Sequence, residues 1–462
     1  MYINPHIFRE YDIRGIADTD LTEEVAEQIG KAYGSYIKSK EIIVGMDNRL
    51  SSERIKRALI KGILLIGKNV IDIGITINPI FYYSRVLYGI EGGAMVTGSH
   101  NPKEYNGFKL CKGDHTMVGR QIRELKDLIQ NNKFISSDTG KVILKNPLKE
   151  FQKMVKEKII LNKKFKVVVD CGNGTAGIFA PAVFRNWGCE VVPLYCESDG
   201  NFPNHIPDPT KTEAMRELIA AVLRGKADIG FGFDGDGDRI GVVDNKGNII
   251  WGDMLQILFQ RELLKKNPGE KVIIEVKCSQ SLYDDVLKHG GKPIFWKTGH
   301  SLIKEKMLEE DALIAGEMSG HTFFRDEYFG YDDALYAAGR VLRILDKTGK
   351  SLYELLADAP KYFSTPEIRA LCPDEVKFEI VKRIVEDFKK MSNLEESGIK
   401  KVIDIDGARV VFENGWGLVR ASNTQPALII RAEGKTEEDL EKIKGVLENK
   451  MGEFPEVEFE WE

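Results

Sequence analysis

One layout recurs three times along this chain and narrows its fold more than any other feature: an apolar strand, a turn, a helix-length stretch and a second strand. The first copy is Glu41-Ile42-Ile43-Val44-Gly45-Met46-Asp47, a helical stretch over 53–66 and a strand over 69–75. The second is Lys166-Val167-Val168-Val169-Asp170, a helical stretch through 182–187, Gly188 and a strand over 190–195. The third is Lys271-Val272-Ile273-Ile274-Glu275-Val276, a helix over 281–288, Gly290-Gly291 and a strand over 293–296. Continuous apolar runs alternating with amphipathic helices predict βαβ units, because a parallel strand is covered on both faces and has no side to leave polar.

The remainder reads differently. Tyr362-Phe363-Ser364-Thr365-Pro366 predicts a linker, since the residue before a proline is pushed out of helical geometry. Beyond it the pattern predicts a helix over 374–391, strands over 401–405, 408–412, 416–420 and 427–433, and a helix over 436–449. A chain of 462 residues is too long for one core. The expected architecture is α/β: three similar α/β domains with mixed, largely parallel sheets, over 1–149, 150–250 and 251–364, then a smaller α+β domain over 365–462.

Bulk composition removes several function classes. With 42% hydrophobic and 30% charged residues the chain is an ordinary globular one, and a net charge of -5 gives no reason to expect nucleic acid or membrane as partner. No basic-then-apolar leader is visible and no apolar run approaches the ~20 residues that span a bilayer. Six cysteines without a C-x-x-C pair predict reduced thiols in a cytoplasmic protein.

Three motifs carry chemistry. Asp234-Gly235-Asp236-Gly237-Asp238-Arg239 follows an apolar strand, and its alternating glycines let a tight loop aim three carboxylates at one point. Hard oxygen ligands of this kind suit Mg²⁺ or Ca²⁺. An EF-hand is excluded, because its glycine position holds Arg239 and its closing glutamate position holds Asn245. A solvated acidic turn is the bland alternative, but a turn needs one Asp, whereas three together repel without a cation. Thr97-Gly98-Ser99-His100-Asn101-Pro102 also leaves an apolar run and can present the Ser99 hydroxyl to a ligand, although alone it reads equally as a polar turn. Gly172-Asn173-Gly174-Thr175-Ala176-Gly177 is a literal G-x-G-x-x-G between strand and helix, with Glu190 and Glu197 near the ribose position. A nicotinamide-dependent oxidoreductase is therefore the rival from another reaction class; it leaves the aspartate loop without a task.

With these loops in hand the chain resembles the α-D-phosphohexomutases, most closely their bacterial phosphomannomutase/phosphoglucomutase group. The resemblance covers nearly the whole length and rests on four loops in the family's order: T-G-S-H-N-P at 97–102, D-G-D-G-D-R at 234–239, G-E-M-S-G-H at 316–321 and R-A-S-N-T-Q-P at 420–426. It implies a heart-shaped four-domain molecule with a mobile C-terminal domain. The implied activity interconverts hexose 1-phosphates and 6-phosphates of glucose or mannose through a phosphoserine and a hexose 1,6-bisphosphate.

The same resemblance implies the site. Ser99 would be the phosphoserine, and Asp234, Asp236 and Asp238, with the Ser99 oxygen, the Mg²⁺ ligands. Arg14, His100, Lys109, Arg239 and His300 would complete the catalytic set. Lys109, His100, His300 and Arg14 are all candidates for proton transfer, and a lysine beside cationic neighbours can have a lowered pKa and act as a base. Glu317, Ser319 and His321 would meet the sugar, while Lys277, Gly299, His300, Arg420, Ser422, Asn423 and Thr424 would hold it and its unreacting phosphate. Two residues depart from the family's habit, Gly98 for alanine and Gln425 for threonine, and Gly98 is expected to loosen the serine loop. Expected partners are hexose phosphates alone, for a monomer or homodimer. A phosphoglucosamine mutase is the nearest alternative, disfavoured by Met318, and a non-catalytic sugar-phosphate-binding protein is the alternative without turnover.

Overall fold

The computed structural model describes residues 3–461 other than 136, 137 and 424. The chain folds as two compact units, one of residues 1–262 with 313–357 and the other of 263–312 with 358–462. The third stretch, 251–364, thus contributes to both.

In the first unit, the strand Glu41–Met46 runs parallel to Asn69–Ile75 and to Gly92–Val96, and five of its six residues are buried. That double coverage is why its sequence is an unbroken apolar run. The helix Ser52–Leu65 follows it, as the repeat predicts. The second copy is equally regular: Lys166–Asp170 lies between the parallel strands Glu190–Leu194 and Ile229–Phe233. Its helix is longer than the sequence suggested, Ala176–Asn186. Pro181 lies inside that helix, which accounts for the late start read from the pattern.

The sheets are mixed because antiparallel strands are added to the parallel ones. Tyr105–Lys112 pairs antiparallel with both Gly92–Val96 and Ile13–Ile16, and Ile240–Asp244 pairs antiparallel with Ile229–Phe233. A two-strand antiparallel ladder joins Ile314–Gly316 to Thr322–Phe324. Three of the four motif loops are the tips of these hairpins: residues 97–104, 234–239 and 317–321.

The second unit combines the parallel pair Lys271–Glu275 and Lys292–Trp296 with an antiparallel sheet of the chain's last hundred residues. In that sheet Gly415–Ala421 pairs with Ala427–Gly434, and the fourth motif loop is the tip between them. The expected linker forms a two-residue strand, Phe363–Ser364, against Glu433 and Gly434. The helices Lys377–Met391 and Glu437–Met451 cover the sheet through a core that includes Ile384, Phe388, Leu428, Ile430 and Leu447.

Arg409 ties the two parts of this unit together. Its guanidinium lies 3.5 Å from the Trp416 ring centre and 4.3 Å from that of Phe295, and it donates to the carbonyls of Val276 and Cys278. Trp416 Nε1 donates in turn to Glu433 Oε2 at 2.8 Å. Among the described residues, no helix is long and apolar enough to cross a membrane.

Arg409→Met keeps the aliphatic stem but loses both carbonyl bonds. At ~1.5 kcal/mol for each charge-assisted bond, the second unit should lose about 3 kcal/mol of stability, read as an earlier urea transition.

Candidate active site

In the first unit the serine loop is wrapped around a buried arginine. Arg49 donates to the carbonyls of Ser99 at 2.8 Å and Tyr105 at 3.0 Å, and also to those of Asn101 and Pro102. A Cβ on Gly98 would stand 2.5 Å from Arg49 Nε. Gly98 therefore does not loosen the loop, contrary to the expectation from sequence; its missing side chain admits the group that clamps it. Asp47 completes the clamp, accepting from Gly98 N and Arg49 N at 3.0 Å each. Ser99 itself holds a left-handed backbone, φ 49°, which a non-glycine residue adopts only when its surroundings enforce it.

The aspartate loop meets this hydroxyl. Ser99 Oγ donates to Asp234 Oδ2 at 2.9 Å, and the other oxygen of Asp234 accepts from Asp238 N and Arg239 N. A Cβ on Gly235 would lie 2.4 Å from the Ser99 carbonyl, so glycine is what permits the two loops to touch. Asp236 Oδ2 accepts from Asn78, Thr97 and Lys109, at 2.8, 2.9 and 2.9 Å. Asn78 and Lys109 reach Asp238 Oδ2 as well.

These contacts bear on whether a divalent cation fits. Asp234, Asp236 and Asp238 are fully buried, and each offers an oxygen within 4.8 Å of those of the other two. Among the described residues, Asp236 Oδ1 and Asp238 Oδ1 accept no hydrogen bond. Burial, and then the charges of Asp236 and Asp238, push the Asp234 carboxyl well above its usual range. Open, hard oxygen ligands under mutual repulsion are the donor set that Mg²⁺ relieves.

The cationic side of the site is equally specific. Burial works against the Lys109 ammonium, but Asp236 and Asp238 outweigh it and hold its pKa above the ordinary lysine value. Lys109 is thus a countercharge; the expectation of a lowered pKa among cations does not hold, because its nearest charges are carboxylates. Burial, with Arg239 and Arg14 nearby, keeps His100 neutral, and its Nδ1 lies 3.1 Å from Ser99 Oγ. Arg14 donates to Asn101 Oδ1 at 2.9 Å.

The third hairpin tip carries Glu317, whose Oε2 accepts from Ser319 Oγ at 3.0 Å. His321 accepts from Arg239 Nε at 3.0 Å, and its Nδ1 lies 2.9 Å from Asp332 Oδ2. Arg239 thereby connects the aspartate loop to this tip.

The second unit holds the remaining residues. Lys277 Nζ is 2.7 Å from Glu367 and 3.2 Å from Glu275. Asp406 Oδ2 accepts from Arg420 Nε at 2.8 Å and from the Thr298 amide at 3.0 Å. Gly299, at φ 132°, precedes the helix His300–Glu309, with His300 buried at its start. Ser422 Oγ accepts from Gln425 N at 3.1 Å. Asn423 lies beside it in the same tip, and Thr424 falls outside the described residues.

The dinucleotide fingerprint has another use. A Cβ on Gly174 would stand 3.0 Å from Gly235 Cα, and one on Gly177 would stand 2.2 Å from the Cys196 carbonyl. Thr175 N donates to Gly235 O at 2.9 Å. Protein occupies the space a pyrophosphate would need, and these glycines let the turn back the aspartate loop.

Strand-borne loops that bring a serine, three buried carboxylates and the cations Lys109, Arg14 and Arg239 together define a phosphoryl-transfer enzyme of the α/β class. Comparison with known proteins gives the family. The four domain descriptions of phosphoglucomutase/phosphomannomutase match in order: domain I at 5–136, II at 148–247, III at 251–363 and the C-terminal domain at 367–450. The phosphomannomutase/phosphoglucomutase of Pseudomonas aeruginosa is 44% identical over 448 residues, 96% of this chain and 95% of that one. A Neisseria gonorrhoeae phosphoglucomutase is 40% identical over 446 residues, 96% of each. The crystal structure of a phosphoglucomutase/phosphomannomutase family protein from Burkholderia thailandensis superposes with a TM-score of 0.92 at 37% identity, covering 99% of this chain and 100% of that one. The chain belongs to the phosphoglucomutase/phosphomannomutase family.

Arg49, Asn78, Asp332, Asp406 and Glu367 escaped the sequence reading. Only Arg49 left a signal, its position just past the strand-ending Asp47. Arg49→Ala would strand four carbonyls at a cost of about 1–3 kcal/mol for each that water cannot reach. Turnover should fall along with a lower unfolding temperature, and Arg49→Lys should restore stability only in part because it lacks the planar fork.

Proposed function

We propose that this enzyme interconverts hexose 1-phosphates and 6-phosphates of glucose and mannose by passing a phosphoryl group through Ser99. The observation that carries this reading is the Ser99 hydroxyl held 2.9 Å from Asp234, beside two aspartates that each have an open oxygen. Asp234, Asp236, Asp238 and the Ser99 oxygen would hold Mg²⁺, whose Lewis acidity would offset the charge of the phosphoserine.

The chain's own residues supply the rest. A substrate hydroxyl attacks phosphorus, its bond to Ser99 Oγ breaks, and a hexose 1,6-bisphosphate forms. In the return half the other phosphoryl group moves to Ser99. The proton of the attacking hydroxyl passes to neutral His100 and on to the departing Ser99 Oγ, which lies 3.1 Å from His100 Nδ1, while Lys109, Arg14 and Arg239 bring positive charge to the equatorial oxygens. Glu317 and Ser319 would grasp vicinal hydroxyls, with His321 beside them. Contacts confined to O3 and O4 leave C2 unread, so glucose and mannose forms both enter.

In the second unit, Lys277, His300, Arg420, Ser422, Asn423 and Thr424 would hold the unreacting phosphate, and the Gly299 turn would admit it. Glu367 pairs with Lys277 and Asp406 with Arg420, and a bound phosphate would compete with both carboxylates. We assign one loop to each of the domains 1–149, 150–250, 251–364 and 365–462. We assign the chain to the cytoplasm, where its six cysteines would stay reduced.

The test is a coupled assay on glucose 1-phosphate and mannose 1-phosphate with Mg²⁺ and a trace of glucose 1,6-bisphosphate. Both should turn over, a chelator should abolish the activity, and Asp236→Asn should lower kcat by about 100-fold or more. Silence on both substrates would overturn the reading.

A further inference from the structure

Behind the aspartate loop lie two thiols that the phosphoryl-transfer chemistry leaves unused. Cys171 directly follows the strand Lys166–Asp170, and Cys196 lies just past its parallel neighbour Glu190–Leu194. Their sulfur atoms are 3.6 Å apart. Cys171 is fully buried, whereas Cys196 is part-exposed.

The two segments are knitted closely enough to hold that approach. Cys171 N donates to Leu194 O at 3.1 Å and Asn173 N to Tyr195 O at 2.8 Å. Asn173 Nδ2 reaches Glu197 O at 2.8 Å, and Asp199 N returns to Asn173 O at 2.9 Å. A disulfide needs the sulfurs at about 2.05 Å, so closure asks for ~1.5 Å of movement shared between two loops. The Cys171 thiol lowers the pKa of Cys196, while burial and then Cys196 push that of Cys171 well up. The accessible member is thus the better nucleophile and the buried one the resolving thiol.

We propose that Cys171 and Cys196 are a reversible oxidation site for hydroperoxides, and that their closure slows the enzyme. The Cys196 thiolate attacks one peroxide oxygen; an S–O bond forms, the O–O bond breaks, and the leaving oxygen takes a proton to depart as water or alcohol. Cys171 sulfur then attacks the sulfenic sulfur, an S–S bond forms, the S–O bond breaks, and water leaves with the Cys171 proton. Two thiols and one hydroperoxide give one disulfide, one water and one alcohol or second water, and a dithiol reverses the change.

The bond acts on the site through the turn that Cys171 begins. Gly174 abuts Gly235, and Thr175 N is bonded to Gly235 O at 2.9 Å. Gly235 itself stands against the Ser99 carbonyl. Drawing Cys171 toward Cys196 therefore pulls on the loop that aims Asp234 and Asp236, where a misplacement of about 1 Å can cost ~100-fold.

Only the activity readout of this inference rests on the proposed mutase function; the cross-link is read separately by mass. The full chain is treated with hydrogen peroxide, digested without reductant and mapped, with turnover measured in parallel. A linked Cys171–Cys196 peptide and a fall in kcat of about tenfold, both reversed by dithiothreitol, are expected. Cys196→Ser should keep its turnover under peroxide, and Cys171→Ala should stop at a Cys196 sulfenic acid trapped by dimedone. No linked peptide would overturn the site. A linked peptide at full turnover, or equal peroxide loss in Cys196→Ser, would overturn its control of the enzyme.

Discussion

The 2.9 Å hydrogen bond from Ser99 Oγ to Asp234 is the contact around which the first unit is organised. Making it requires three carboxylates to sit in a site with no exposure, where each ionised group costs several kcal/mol unless it is compensated. Compensation arrives from four directions. Lys109 brings a charge from one strand, Asn78 an amide from a helix N-terminus, Thr97 a hydroxyl from the serine loop, and Arg239 a cation from the aspartate loop itself. Among the described residues one oxygen each of Asp236 and Asp238 accepts no hydrogen bond, and these two atoms favour a cation.

Hairpins explain how such a site is assembled repeatedly. A parallel βαβ unit delivers a strand end, and an antiparallel neighbour turns the chain back at once, so the connecting residues are held at both ends by ladder bonds. Phe233 pairs with Ile240 across the aspartate loop, Gly316 with Thr322 across the sugar-facing tip and Ala421 with Leu428 across the fourth loop. Loops pinned this way hold side chains more closely than free connections do, which suits chemistry that depends on placement of charge.

Much of this was legible in the sequence because it is local. Asp234, Asp236 and Asp238 announce themselves by spacing, and the apolar runs at 42–44 and 167–169 give their strands directly. Residues that act across the fold left little trace: Asn78 reaches Asp236 over 158 positions, and Arg49 reaches Ser99 over 50. Two readings failed for one shared reason, since each judged a residue without its partners across the fold. Gly98 admits a clamp instead of loosening a loop, and Lys109 faces carboxylates instead of cations. Pairing partners of strands are equally nonlocal, so the hairpin character of the four loops was not visible from periodicity.

If Ser99 carries the phosphoryl group, its phosphate can be weighed directly. The protein is incubated with glucose 1,6-bisphosphate and Mg²⁺, freed of ligand, and its intact and peptide masses are recorded beside those of Ser99→Ala. One added phosphate is expected on the peptide containing Ser99, removed by glucose 6-phosphate and absent from the variant, which should not turn over. Phosphate on another residue, or a Ser99→Ala enzyme that turns over like the wild type, would contradict it.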